Sequence, residues 1–287
     1  MSIFRTLFGK KAKLPAYESH VRSYVDQYEE KPVYYTVDLG LADLAVKDEF
    51  SVYVAVILPA QILAGQEPPV SREELDALHT LEADAFADAQ RVGYLYAGRA
   101  IVTAAEHMYI AFYCRPEDKQ AVTDSLNRIC QRRGRTPTMV LVKDDPEWLF
   151  YTDRLAPDEH KLQHINHMDI LQELKDHGDD SAAARPVYFW LYTKTREAGE
   201  QIAAEAKAAG MESAEITDSR ESEEGPVDAD RPFAVQLTCT MAPTLDGLNA
   251  KAWKLIDLAR AHEGLYDGAE TEVVHAGVAP STPEQAQ

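Results

Sequence analysis

The chain has 287 residues, which at roughly 150 residues per domain predicts two domains, and 45% of it is apolar, enough for a core in each. Its 29 Lys+Arg against 48 Asp+Glu leave a formal net charge of −19, an anionic surface that repels phosphate backbones and acidic membrane leaflets and so argues against direct nucleic-acid binding. Cys114, Cys130 and Cys239 form no Cys-x-x-Cys pair and no even set, the pattern of reduced thiols in a cytoplasmic protein rather than of a disulfide scaffold or zinc finger.

The opening MSIFRTLFGKKAKL, with Arg5, Lys10, Lys11 and Lys13, lacks the long apolar run of a secretion signal and is expected as a loosely packed terminus. The longest apolar stretch, Val52 to Ala60, contains a proline and is half the length that a spanning helix needs. Residues 1–31 are therefore assigned to an N-terminal extension and 32–156 to a first domain.

In that domain Val33 to Asp38 and Phe50 to Leu58 have strand composition, and the second reads as a buried strand. Ser71 followed by Glu74 is a capping-box signature, and Leu75, Leu78, Leu81, Ala85 and Ala89 recur at helical spacing, which predicts a helix over 71–90. Strands at Gly93 to Thr103 and Met108 to Cys114 follow. Pro116 then starts a helix through Val122, Leu126 and Ile129 that Gly134 ends, and Thr138 to Val142 is the last strand. From Phe50 the order is β-α-β-β-α-β, with Val33 to Asp38 as an extra edge. A Trp148 to Leu155 segment and a helical stretch from Asp158 to His177, stopped by Gly178, form the connector.

The second domain, 157–277 with the connector helix included, repeats the plan. Strand Val187 to Thr193 leads to a helix through Ala198, Ile202, Ala206 and Ala209 that ends at Gly210, and strand Met211 to Thr217 follows. Strand Phe233 to Thr240, a helix bearing Leu248, Ala252, Leu255 and Ala259, and a strand from Glu270 to Val274 complete it, leaving 278–287 as a disordered tail. The expected fold class is α+β, two ferredoxin-like antiparallel-sheet sandwiches joined by a helical connector.

Charge is unequally divided. Residues 1–155 carry a net −5, whereas 156–287 hold 11 basic and 25 acidic side chains, net −14. Part of the excess lies in the loop holding Asp218, Glu221, Glu223, Glu224, Asp228 and Asp230, whose Ser, Gly and Pro content predicts a mobile segment.

His160, His164 and His167 stand at i, i+4 and i+7 of one predicted helix, the best metal candidates in the chain. Three imidazoles on one straight helix rarely meet at one ion, since i and i+7 lie about 10 Å apart, and the same spacing suits a packing face. Asp179 and Asp180 after Gly178 could hold a cation or simply form the turn that stops the helix. Tyr266-Asp267-Gly268 reads as an Asp-Gly turn with a tyrosine beside it that can supply a binding contact. Trp148, Trp190 and Trp253 read as packing anchors, and the Arg132, Arg133 and Arg135 knot is what a helix C-terminus favours. Signatures of dinucleotide, phosphate-loop, serine-hydrolase and zinc-protease sites are absent, so no cofactor and no catalytic residue is assigned.

From about Met168 to Val274 the chain resembles the family of regulator of ribonuclease E activity B. The resemblance rests on L-K-D-H-G-D-D at Leu174 to Asp180, on Arg185-Pro186-Val187-Tyr188-Phe189, on Ala209-Gly210, and on His262-Glu263-Gly264-Leu265-Tyr266-Asp267-Gly268. About Tyr34 to Leu155 is similar to domain of unknown function 695, through its L-E-A-D helix, its paired strands and D-D-P-E-W-L-F-Y at Asp144 to Tyr151. The resemblance implies a non-enzymatic module that associates with ribonuclease E and lowers its activity. It departs from the family at Ala269, where a tryptophan is expected.

The sequence therefore predicts a cytoplasmic, acidic regulator that binds basic regions of a protein partner such as ribonuclease E, with Tyr266, Asp267, Gly268, Asp179 and Asp180 as candidate contacts and no direct nucleic-acid or membrane binding. Open sheet edges leave room for pairing between copies. The rival is a metal-dependent enzyme built on His160, His164, His167, Asp179 and Asp180.

Overall fold

The computed structural model describes residues 14–275 apart from 16, 43, 46, 64, 66–68 and 222–227. The basic opening segment, the middle of the acidic loop and the tail lie outside the described residues. The chain divides into two compact units between Ala156 and Pro157.

In the first unit the elements are β1 (Val21–Tyr28), β2 (Lys31–Asp38), β3 (Val52–Pro59), α1 (Arg72–Val92), β4 (Leu95–Val102), β5 (His107–Cys114), α2 (Lys119–Arg132) and β6 (Met139–Asp144). They form a six-stranded sheet in the order β1-β2-β4-β5-β3-β6, with every neighbouring pair antiparallel. The last four of these strands have the ferredoxin-like order, and the β1-β2 hairpin extends that sheet along β4.

The local chemistry sets the boundaries. Ser71 Oγ accepts from Glu74 N–H at 3.1 Å to cap α1, and Gly93, at φ 99°, ends it. Alternation does the rest: Val52, Val54, Val56 and Leu58 of β3 and Met108, Ile110, Phe112 and Cys114 of β5 face Leu78, Leu81, Ala85, Val122, Leu126 and Ile129 of the two helices. Alternation points the intervening residues to the other side, where the D-D-P-E-W-L-F-Y stretch meets them. Trp148 stacks on Tyr113 at 4.0 Å and Phe150 on Tyr53 at 4.4 Å. The buried Asp145 accepts from Tyr113 Oη at 2.6 Å and from the backbone N–H of Leu149 and Phe150 at 2.9 Å each, holding the segment down.

β1 lies in the stretch that sequence assigns to an extension. Its only fully buried side chain is Tyr24, so no apolar alternation announces it. Its two-residue turn to β2 is Glu29-Glu30, at φ 51° and 60°, where Asn-Gly would be the recognisable signal.

The second unit contains α3 (Glu159–Asp176), β7 (Arg185–Thr193), α4 (Arg196–Ala208), β8 (Ser213–Asp218), β9 (Phe233–Met241), α5 (Leu245–Ala261) and β10 (Leu265–Thr271). Its four-stranded antiparallel sheet runs β10-β7-β9-β8, again the ferredoxin-like order. Thr195 and Thr244 cap α4 and α5 through their hydroxyls. Val187, Phe189, Leu191, Val235 and Leu237 pack against Ile202, Ala206, Leu248, Ala252 and Ile256. The helix read as a connector is α3, which packs on α5 and β10 within this unit.

The three thiols are buried in these two cores, Cys114 and Cys130 in the first and Cys239 in the second, and burial pushes Cys114 up to about 12. Among the described residues no helix is long and apolar enough to cross a membrane.

Both glutamates of the β1-β2 turn sit in a region that costs a non-glycine residue roughly 1–2 kcal/mol. Glu29→Asn with Glu30→Gly is expected to stabilise the first unit by about 1 kcal/mol, read as a rise of roughly 2–4 °C in its thermal midpoint. An unchanged or lower midpoint contradicts the turn assignment.

Candidate binding face of the second unit

The site-bearing end of this unit is organised by Arg185. Its side chain is 1% exposed and every donor is used: Nη1 and Nη2 bind the two oxygens of Asp179, Nη1 also reaches the Glu272 carbonyl at 2.9 Å, Nη2 the Asp180 carbonyl, and Nε the Ala183 carbonyl at 3.2 Å. Asp179 accepts from Val274 N–H at 2.8 Å as well, and Asp180 N–H donates to the Val274 carbonyl at 2.7 Å. The H-G-D-D and R-P-V-Y-F motifs thus meet in one lock joining the end of α3, the start of β7 and the chain after β10. The Arg185 guanidinium holds the Asp179 carboxyl below the usual range. Asp180 turns back on Ala182 N–H at 3.1 Å. The lock leaves Asp179 no free oxygen for a partner.

The histidines face α5. His167 is fully buried, and its Nδ1 bonds Asn249 Oδ1 at 2.8 Å, while Asn249 Nδ2 donates to His164 Nδ1 at 2.8 Å. With the amide in this orientation, one side chain of α5 bridges two imidazoles of α3. His167 Nε2 is buried without a hydrogen-bond partner. His160 lies toward the other end of the pair, 3.6 Å from Asp257 Oδ1 and edge-on to Trp253 at 6.1 Å. Among the described residues no group of three or more His, Cys, Asp or Glu side chains could hold a metal ion, so the arrangement does not assemble the rival's ligand set.

Tyr266-Asp267-Gly268 is a β-bulge inside β10 rather than a turn before it. Tyr266 is 2% exposed and points into the core, and burial raises its phenol. Gln163 Nε2 of α3 reaches the Asp267 carbonyl at 3.4 Å, and the Asp267 side chain is exposed. Of the five candidate contact residues, Asp267 presents a charged side chain outward and Tyr266 and Asp179 hold the fold.

What sequence missed lies alongside. A groove of about 320 Å³ runs between α3 and β10, with Ile170, Leu174 and Val273 as apolar lining and Glu173 and Glu270 as exposed carboxylates. Neither carboxylate makes a hydrogen bond or ion pair with another described residue. Ala269, standing where the family resemblance expects a tryptophan, is also part of its wall. On α5 Trp253 is 44% exposed, so it is not the core anchor its size suggests.

Residues 164–271 match the family model described as Regulator of ribonuclease activity B, and residues 22–156 match that of a Family of unknown function (DUF695). The chain carries a DUF695-type domain followed by an RraB-type domain. The RraB match begins inside α3 and ends with β10, so it takes in Asp179 and Arg185 of the lock, His164, His167 and Asn249, and the groove lining apart from Val273. No curated protein matches the chain. Among solved structures, a mutant chlorite dismutase from Candidatus Nitrospira defluvii is similar at 11% identity over 78% of this chain and 93% of its own, with a TM-score of 0.18, a likeness too slight to bear on fold or chemistry.

Asp179→Ala leaves a buried guanidinium unpaired and is expected to cost the RraB-type domain about 3–5 kcal/mol, measured by denaturant unfolding. Burial, reinforced by His164, lowers the pKa of His167 below its unfolded value, against the hydrogen bond to Asn249 Oδ1. The unfolded chain then takes the proton first, so this contribution is complete above about pH 7 and is lost as pH falls below about 6.5. Stability of the RraB-type domain should decline between about pH 7 and pH 5, and His167→Gln should flatten that slope. A slope identical in the variant rules the residue out.

Proposed function

We propose that the chain is a non-catalytic regulator, acting in the cytoplasm, whose RraB-type domain docks a basic segment of a ribonuclease of the ribonuclease E type and lowers its activity by occupying a surface that otherwise holds RNA. The RraB family match over residues 164–271 carries this reading. The groove between α3 and β10 supports it physically. Apolar lining from Ile170, Leu174 and Val273, flanked by Glu173 and Glu270, complements a segment in which Lys or Arg alternates with aliphatic side chains. β10 is the edge of its sheet, so an extended segment finds strand geometry beside it. The net −14 of residues 156–287 steers such a segment inward and raises the rate of encounter.

The test is binding of the full chain to a ribonuclease E-type endonuclease at about 50 mM and about 300 mM salt, with RNA cleavage followed in the same mixtures. Binding is expected to weaken at least about tenfold across that range, and cleavage to slow in proportion to occupancy. Glu173→Lys with Glu270→Lys should remove at least about tenfold of the low-salt affinity without moving the unfolding midpoint. Absence of binding at low salt, or binding that leaves cleavage unchanged, overturns the reading.

A further inference from the structure

The DUF695-type domain carries a second feature, unrelated to the groove. α1 and α2 lie antiparallel, as the contacts Glu74–Arg135, Asp84–Arg133 and Asp88–Ser125 require. Between them is a cavity of about 570 Å³ lined by Asp88, Arg91, Ser125, Arg128, Gln131 and Arg132, a volume within the range of small-ligand sites. Three arginines from two helices therefore line one cavity in a chain whose formal net charge is −19.

The carboxylate in the cavity is already committed. Asp88 is buried and accepts from Tyr94 Oη at 3.0 Å, from Ser125 Oγ and from Arg91 Nη2. The side chains of Arg128 and Arg132 are exposed and form no hydrogen bond or ion pair with another described residue, although Arg132 is near enough to Asp84 to help Arg133 lower its pKa. Their neighbours at the same helix end behave differently: Arg133 binds Asp84 through two bonds of 2.7 and 2.8 Å, and Arg135 binds Glu74 through two of 2.8 and 2.6 Å. Attraction to the helix C-terminus favours a cation anywhere around the last turn and so does not explain why Arg128 and Arg132 share one cavity with Arg91. Arg128 and Arg132 are moreover one turn apart at i and i+4, a spacing at which like charges weaken a helix. Three guanidinium groups against one carboxylate leave two positive charges over, matching a dianion.

We infer that this cavity is a binding site for a small phosphate monoester, whose phosphoryl oxygens are gripped by the guanidinium forks of Arg91, Arg128 and Arg132. Asp88 holds the Arg91 fork in place, and the Gln131 amide offers a further donor. Phosphate is the anion suited to such a set, because planar guanidinium groups bind its oxygens in pairs.

The experiment is isothermal titration of the full chain with inorganic phosphate and, separately, with a nucleoside 5′-monophosphate, against sodium chloride at matched ionic strength. One saturable site is expected for both probes and none for chloride, with the nucleotide binding at least as tightly as phosphate. Arg128→Gln with Arg132→Gln should weaken both at least about tenfold, a change expected when two charge-assisted contacts are lost. Arg133→Gln, which removes the same kind of charge outside the cavity, should stay within about twofold of the wild type. No saturable binding of either probe, an equal response to chloride, or equal losses in the two variants would overturn the site. So would a single-stranded oligonucleotide that binds through these arginines and that phosphate does not displace. Circular dichroism of the variants separates lost binding from lost fold, and a folded double variant with undiminished affinity refutes the assignment.

Discussion

The pairing of Arg185 with Asp179 is the interaction on which the architecture of the RraB-type domain turns. A guanidinium in a dry interior is tolerable only when each of its donors is met, and here a carboxylate and three backbone carbonyls meet them all. The carbonyls belong to Ala183, Asp180 and Glu272, so one side chain fastens the loop after α3 to the chain beyond β10. β10 is the last strand added to the sheet and pairs on one side only, with β7. Without the lock, the far end of β10 would keep its pairing with β7, the Thr271 Oγ1 bond to the Pro186 carbonyl and the His275 contact with the Gly178 carbonyl, but would lose the buried charged bonds that fasten it to the loop after α3.

The same logic runs through the DUF695-type domain with the signs reversed. Asp145 and Asp38 are buried acids whose oxygens are filled by hydroxyl and backbone donors, Asp38 by Tyr17 Oη, Ser19 Oγ, His20 N–H and Gly40 N–H. Arg99, 8% exposed, reaches Glu82 at 3.0 Å, and Glu82 also takes the Tyr96 hydroxyl. These charges act as fixed points for loops and helix pairs and are not offered to a partner. Composition counts them with the rest, so the net charge of the chain overstates the acid available for binding and understates how selectively its arginines are placed.

That distinction also separates what sequence could reveal from what it could not. The cores were legible because periodicity reports directly on which side of an element is dry: the spacing from Leu75 to Ala89, and Val187, Phe189 and Leu191, needed no tertiary knowledge. The outer hairpin was not, because β1 buries Tyr24 alone and Glu29-Glu30 reaches a left-handed turn by tertiary support rather than by preference. The start of β10 was missed for a related reason. Asp267-Gly268 carries turn chemistry, and the extra residue is accommodated as a bulge in this edge strand, as Ala97 is between Tyr96 and Gly98 in the interior strand β4. There a Cβ on Gly98 would stand 2.5 Å from the Thr36 carbonyl, so glycine lets β2 close onto the bulged strand. At the candidate site, sequence supplied the residue types but not their partners. Asp179 looked like an exposed acid because its cation stands six residues on, across a turn, and Asn249 could not be paired with His164 and His167 without knowing that α3 and α5 lie side by side.

An acidic domain attracts many cations, so charge by itself cannot choose among them. At physiological salt the field of an exposed carboxylate fades over about 8 Å, and most of the 25 acids of residues 156–287 can therefore hasten arrival without contributing much to what stays bound. Selectivity has to come from a place where screening fails and shape matters. The groove beside β10 combines two carboxylates that have no partner among the described residues with Ile170, Leu174 and Val273, which reward aliphatic groups but not bare charge. Ala269 in its wall leaves open the volume that a tryptophan would fill, so a family member with tryptophan there would present a shallower and more aromatic surface to its partner. Under the proposed docking, the residue at this one position sets which side chains a bound segment can insert.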